Sequence, residues 1–157
     1  MKISIINFEH IIKNYTPYQE ASNKIELEKS KFKNRIGEIK KEMETIINSS
    51  RVLVLDQSTN EKNKERISTL QAEGMKLESE FRYKISQEQN DILEKNFSEI
   101  SEIVNIWSEE NGMDIVLNNS SVAFFKKEFD ATNKIIDILK SKNLFSEWTK
   151  SVDQFAD

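Results

Sequence analysis

The amino-acid sequence predicts an α+β fold that is mostly helical: a long antiparallel α-helical hairpin arm, coiled-coil-like, on a small β body. Three observations predict it. Two apolar stripes recur at steps of three and four residues over about fifty residues each, separated by a short polar break. Glycine occurs three times and proline once, where average usage would give about 11 and about 8 in such a length. Short β-branched runs stand only outside the stripes, at Ile3–Ile6, 113–117 and 121–125.

Taken in chain order, Ile3, Ile5 and Ile6 read as one strand. Phe8, Ile11, Ile12 and Tyr15 then recur at helical spacing until Pro17, which lacks an amide donor and restricts Thr16, ends or kinks the helix. From Tyr18 the stripe Ala21, Ile25, Glu28, Phe32, Ile36, Ile39, Met43 runs on to Leu53, predicting one long amphipathic helix of nearly straight pitch. The polar stretch 56–60 breaks it, and Ser58 with Glu61 has the form of a capping box, so a second helix is expected from Thr59. Its stripe is Ile67, Leu70, Gly74, Leu77, Phe81, Ile85, Glu88, Ile92, Asn96, Ile100, Ile103 and Trp107, and Asn111-Gly112 ends it.

Two such helices joined by a short polar turn fold back on one another, because neither can bury its stripe alone. A cationic block at 24–41, net +4, is expected to lie beside an anionic block at 85–114, net -7. Beyond Gly112, residues 113–117 and 121–125 read as two strands about a turn at 118–120, and Asp130 or Thr132 as the cap of a helix holding Ile135, Ile136, Ile138 and Leu139. The predicted organisation is a body of 1–17 with 111–139, a hairpin of 18–110 with its tip near 56–63, and an amphipathic extension of 140–157. Three short strands leave open, sticky edges, and self-association into a shared barrel would close them.

Composition excludes much chemistry. There is no cysteine and one histidine, His10, so thiolate nucleophiles, zinc-thiolate sites and two-histidine metal motifs are absent. The glycines are too far apart for a phosphate-binding loop. The carboxylate series Glu88, Asp91, Glu94, Glu99, Glu102 lacks the histidine that helical metal sites add, and reads as a solvated face. No catalytic residue, cofactor or metal is expected. The net charge of -4 gives no pull toward nucleic acid or anionic lipid. No apolar run exceeds four residues, so no membrane insertion is expected. Ser4, Asn7 and Glu9 interrupt the apolar start that an export signal needs. The expected compartment is therefore the cytoplasm or a virion, with the periplasm only for a processed form.

Three segments in order resemble the Skp/OmpH family of periplasmic chaperones: Ile3 to Pro17; Glu110-Asn111-Gly112-Met113-Asp114-Ile115-Val116-Leu117; and Phe129-Asp130-Ala131-Thr132 ahead of Ile135 to Leu139. The resemblance covers roughly Lys2 to Leu139. It implies a homotrimer whose strands, carrying Ile3, Ile5, Ile115, Leu117, Val122 and Phe124, pool into a small barrel. It also implies hairpin arms that hold unfolded proteins without ATP. Members are typically basic on the arms, whereas 18–110 here carries 15 cations and 19 anions.

Val52, Leu53, Val54 and Leu55 are expected to cover every face of the helix near the tip, as a client or partner contact, as a locally knitted end, or as a place where a third arm packs. Leu144, Trp148, Val152 and Phe155 form a short amphipathic row that either docks on its own body or serves as a handle for a partner. The resemblance thus reads the chain as a holding chaperone whose partners are its own copies and unfolded or assembling proteins. The second reading keeps the trimeric scaffold but builds it into a larger particle, such as a virus particle, as a structural or assembly component.

Overall fold

Strand β1 (Ile3–Ile6) pairs in parallel with β2 (Ile115–Asn118), Ile3 opposite Ile115 and Ile6 opposite Asn118. Between them run α1 (Phe8–Lys13), α2 (Thr16–Val52) and α3 (Gln57–Glu110), and α4 (Thr132–Asp153) follows. This computed structural model describes residues 1–52 and 54–153, and in the last turns of α4 only some of the side chains. The chain forms two compact units: Met1–Ser22 with Asn90–Asp157, and Asn23–Gln89.

In the first unit, β1 is the buried strand. Ser4, Ile5 and Ile6 are all buried, and the Ile5 carbonyl accepts from the Ala131 amide at 2.8 Å on the side away from β2. The core gathers Ile6, Ile11 and Ile12 with Ile100, Ile103, Val104 and Trp107 of α3, and with Ile135, Ile136 and Leu139 of α4. At roughly 25 cal/mol per Å² of apolar surface removed from water, each such side chain contributes about 1.5 to 3 kcal/mol. Asn7 caps α1 by accepting from the His10 amide at 2.9 Å, while its own amide donates to Thr132 Oγ1 at the head of α4. One residue thus ties two helix starts together. The His10 side chain itself is exposed.

Pro17 does not itself end α1, which stops at Lys13, four residues earlier. It sits in the first turn of α2, where a missing N–H costs nothing, and Asn14 and Tyr15 form the break after α1. At the other end, α3 stops in a Schellman turn: the Met113 amide donates to the Ser108 carbonyl at 2.8 Å, and Gly112 takes φ of +59°.

The second unit is the hairpin, and its seam is one row per helix. Ile25 and Ile39 of α2 and Leu70 and Ile85 of α3 are buried, and Phe32 and Phe81 stack between them. Every described position of the expected α3 stripe is buried or half-buried. The start of α3 differs from expectation. The helix begins at Gln57, and Asp56, not Ser58, is the cap, its Oδ1 accepting from the Thr59 amide at 2.7 Å. The Asp56 carboxylate satisfies the Thr59 amide three residues on, where a Ser58 cap would have served the Glu61 amide two residues later.

The expected pairing of charge blocks is also corrected. Glu28 meets Lys84 at 2.8 Å, Arg35 meets Glu73 at 2.6 Å and Glu42 meets Arg66 at 2.6 Å. Residues 24–41 therefore face the seventies and eighties, because positions opposed across a hairpin are equidistant from its turn. The pairs are of mixed sense, with acids and bases drawn from both helices.

The second strand expected at 121–125 is not formed in the protomer. Residues 119–121 make a 3-10 turn, and Val122 is extended (φ -125°, ψ 124°) but has no ladder partner among the described residues. The β2 strand meets β1 in parallel, so a hairpin return beside β2 would need a tight reversal, which the turn at 119–121 does not supply. The extension is not a separate helix either: α4 continues unbroken from Thr132 to Asp153.

Candidate interaction surfaces

The hairpin tip is built by the end of one helix and the cap of the next. Helix α2 stops at Val52, so Val54 and Leu55 stand in the turn and not on a helix, which corrects the expectation of four apolar residues wrapped around one helical turn. Val52 is 82% exposed, Val54 is fully exposed and Leu55 is half-buried. Leu53 lies outside the described residues. The turn is braced from the α3 side, where Asp56 caps the helix and Asn60 Nδ2 reaches back toward the Leu55 carbonyl at 3.4 Å. Hydrogen bonding to Thr59, first by its backbone amide and then by its side chain, holds the Asp56 carboxyl below its usual range.

Along the hairpin, a shallow cleft of about 400 Å³ opens beside the stacked rings of Phe32 and Phe81 and is rimmed by Lys31, Arg35 and Lys84. Two of these cations are engaged: Arg35 with Glu38 and Glu73, and Lys84 with Glu28 and Glu88. The bonds to Glu38 and Glu73 raise the Arg35 pKa, and the bond to Glu28 leads those that raise Lys84. A phosphate here would have to displace carboxylates from both.

The paired residues Ile3 with Ile115 and Ile5 with Leu117 share one face of the sheet, and they divide by strand. Ile5 is buried in the core, Ile3 is half-buried, and Ile115 and Leu117 of β2 are exposed at 40% and 39%. Among the described residues β2 pairs only with β1, so its outer edge presents unpaired amides and carbonyls. Val122 is half-buried, and Phe124, six residues past the end of β2 in the chain, is 81% exposed. Of the expected tail contact, Leu144, Trp148 and Val152 fall on the backbone of α4 with side chains outside the described ones, and Phe155 lies outside the described residues.

One apolar surface had no place in the sequence reading. Phe8 of α1 and Phe97 of α3 touch with ring centroids 4.8 Å apart and planes tilted by 44°. Leu93 stands one turn before Phe97. The signal was present, since Leu93, Phe97 and Ile106 are apolar residues lying off the buried stripe of α3. Nearby, Tyr15 OH donates to Glu99 at 2.6 Å, and burial, more than this bond, pushes the phenol well above its ordinary range.

Among the described residues no group of histidines and carboxylates could hold a metal ion, and no helix is long and apolar enough to cross a membrane. What the surfaces offer is contact: exposed apolar side chains, an open strand edge and an ion-paired hairpin.

A search of curated proteins finds no match to this chain. The family model described as "Outer membrane protein (OmpH-like)" matches residues 2–139, from β1 through the hairpin to the first turns of α4. This is a family of chaperones and not of enzymes. The strand, long helical hairpin and short return of this chain fit the family's fold, and the chain belongs to the OmpH-like family.

Proposed function

We propose that this OmpH-like chain is an ATP-independent holding chaperone that works as a homotrimer and encloses unfolded proteins between its helical arms. The observation that carries the reading is the family match over residues 2–139, which takes in every element from β1 to the start of α4. Two physical features support it. The open edge of β2, on a strand with Ile115 and Leu117 exposed, is a costly surface for an isolated protomer and a natural one to bury against further copies. The hairpin tip exposes Val52 and Val54, and many weak apolar contacts of this kind suit a client with no fixed shape better than one shaped pocket does.

Binding then draws on exposed apolar side chains and releases by mass action, with no nucleotide in the cycle. The test is suppression of aggregation of a β-rich protein diluted from denaturant, at one trimer per client and without ATP. Suppression is the expected outcome. Aggregation at the uncatalysed rate and extent would remove the holding role.

A further inference from the structure

We propose that the first unit carries a separate docking groove for client segments that combine apolar and cationic residues, lying along α3 from Asn90 to Asn105 beside Phe8. Two adjoining hollows, of about 440 and 330 Å³, share Phe8 and Phe97 as their common wall. The first is lined further by Ile12, Leu93 and Glu94, and the second runs past Val104 to Asn118 at the end of β2. Fifteen helical steps at ~1.5 Å each give a track of about 22 Å. Leu93 is 48% exposed and Phe97 56%, although both stand next to a core that has room for neither: the inward positions are already taken by Ile100, Ile103, Val104 and Trp107.

Charge selects the occupant. Of the carboxylates in residues 90–114, Glu99 and Glu102 belong to a different hollow that they share with Lys95, Lys142 and Lys150, and among the described residues no cation lines the two hollows beside Phe8. Glu94 lines the groove and Asp91 precedes it by three residues on the same exposed side of α3. Neither has an ion pair or hydrogen bond among the described residues, unlike the acids of the hairpin, several of which are paired. An apolar track edged by unneutralised carboxylates favours a segment with leucine-like residues to fill it and lysine or arginine to meet the edge.

Size selects a segment over a folded partner. Ten residues line the two hollows, whereas a stable interface between folded chains takes about 20 to 30 on each side. This proposal takes from the holding role only the source of the segment, an unfolded client. Its geometry does not depend on that role.

The test uses the full chain and two labelled 15-residue peptides with the same leucine spacing, one carrying lysines and the other glutamates, followed by fluorescence anisotropy. The lysine peptide should bind about tenfold more tightly at low salt, as expected from roughly two exposed charge contacts, and the difference should shrink at about 0.5 M salt. Phe97→Ser should abolish binding of the lysine peptide, and Leu93→Ser provides a second, milder probe. The double variant Asp91→Lys/Glu94→Lys should invert the preference.

Equal affinity for the two peptides, or unchanged binding in both serine variants, would overturn the groove. So would a change in mass in solution on Phe97→Ser, since another copy of the chain would then be the occupant. Loss of aggregation suppression with the peptide preference intact would remove the holding role and leave this groove standing.

Discussion

Phe32 of α2 and Phe81 of α3 stack face to face, their ring centroids 4.0 Å apart and their planes within 1° of parallel. With the ion pairs Glu28–Lys84 and Arg35–Glu73 on either side, the stack fixes which turn of one helix meets which turn of the other. The pairs contribute little individually, about 0.2 to 1 kcal/mol when exposed, so the rings and the aliphatic seam carry the hairpin.

Replacing Phe81 by alanine should therefore cost about 2 kcal/mol, roughly half the loss for a fully buried phenylalanine because both rings are half-buried. Urea unfolding followed by far-ultraviolet circular dichroism measures it. Phe81→Leu should retain most of the stability. An alanine variant as stable as the parent would mean that the stack does not hold the register.

At the far end of α3, Gly112 has a positive φ and no neighbour within reach of an added Cβ. Gly112→Ala should thus cost about 1 kcal/mol through backbone strain alone, with Gly112→Asn milder. Thermal unfolding of the two variants side by side separates strain from packing, since a clash would penalise the larger asparagine more.

Tyr15 predicts an alkaline dependence. Its phenol pKa is raised in the folded state, first by burial and then by the bond to Glu99. The neutral form is favoured on folding, so the stabilisation is fully present below about 10, the unfolded value, and is lost as pH climbs from there toward the folded value. Tyr15→Phe should lose about 1 kcal/mol at neutral pH, and the gap from the parent should narrow above pH about 10. A constant gap from pH 7 to 11 would contradict the assignment.

How much of this could be read from the residues depends on the range of the interaction involved. The α3 stripe from Ile67 to Trp107 was legible because helical period is a local property, and its described members are indeed buried or half-buried. The cap is not legible in the spacing, because Asp56 and Ser58 compete for nearby amides and sequence spacing does not rank them. The strand expected at 121–125 differs from the structure because β propensity reports a surface that fits a sheet, and among the described residues this protomer supplies no strand beside it. The groove was hidden because it joins Phe8 to Phe97 across 89 positions of chain; only the off-stripe placement of Leu93 and Phe97 pointed to it.

The tip gives a functional prediction. Val54→Asp with Leu55→Asp should abolish aggregation suppression while leaving the mass in solution unchanged, because Val54 is fully exposed and Leu55 half-buried. Undiminished suppression would show that clients do not use the tip.

The proposed trimer rests on protomers completing one another's open strand edges. Light scattering on the purified full chain tests this most directly. It should give three times the 18.4 kDa of the single chain, and a particle of 18.4 kDa at micromolar concentration would contradict it.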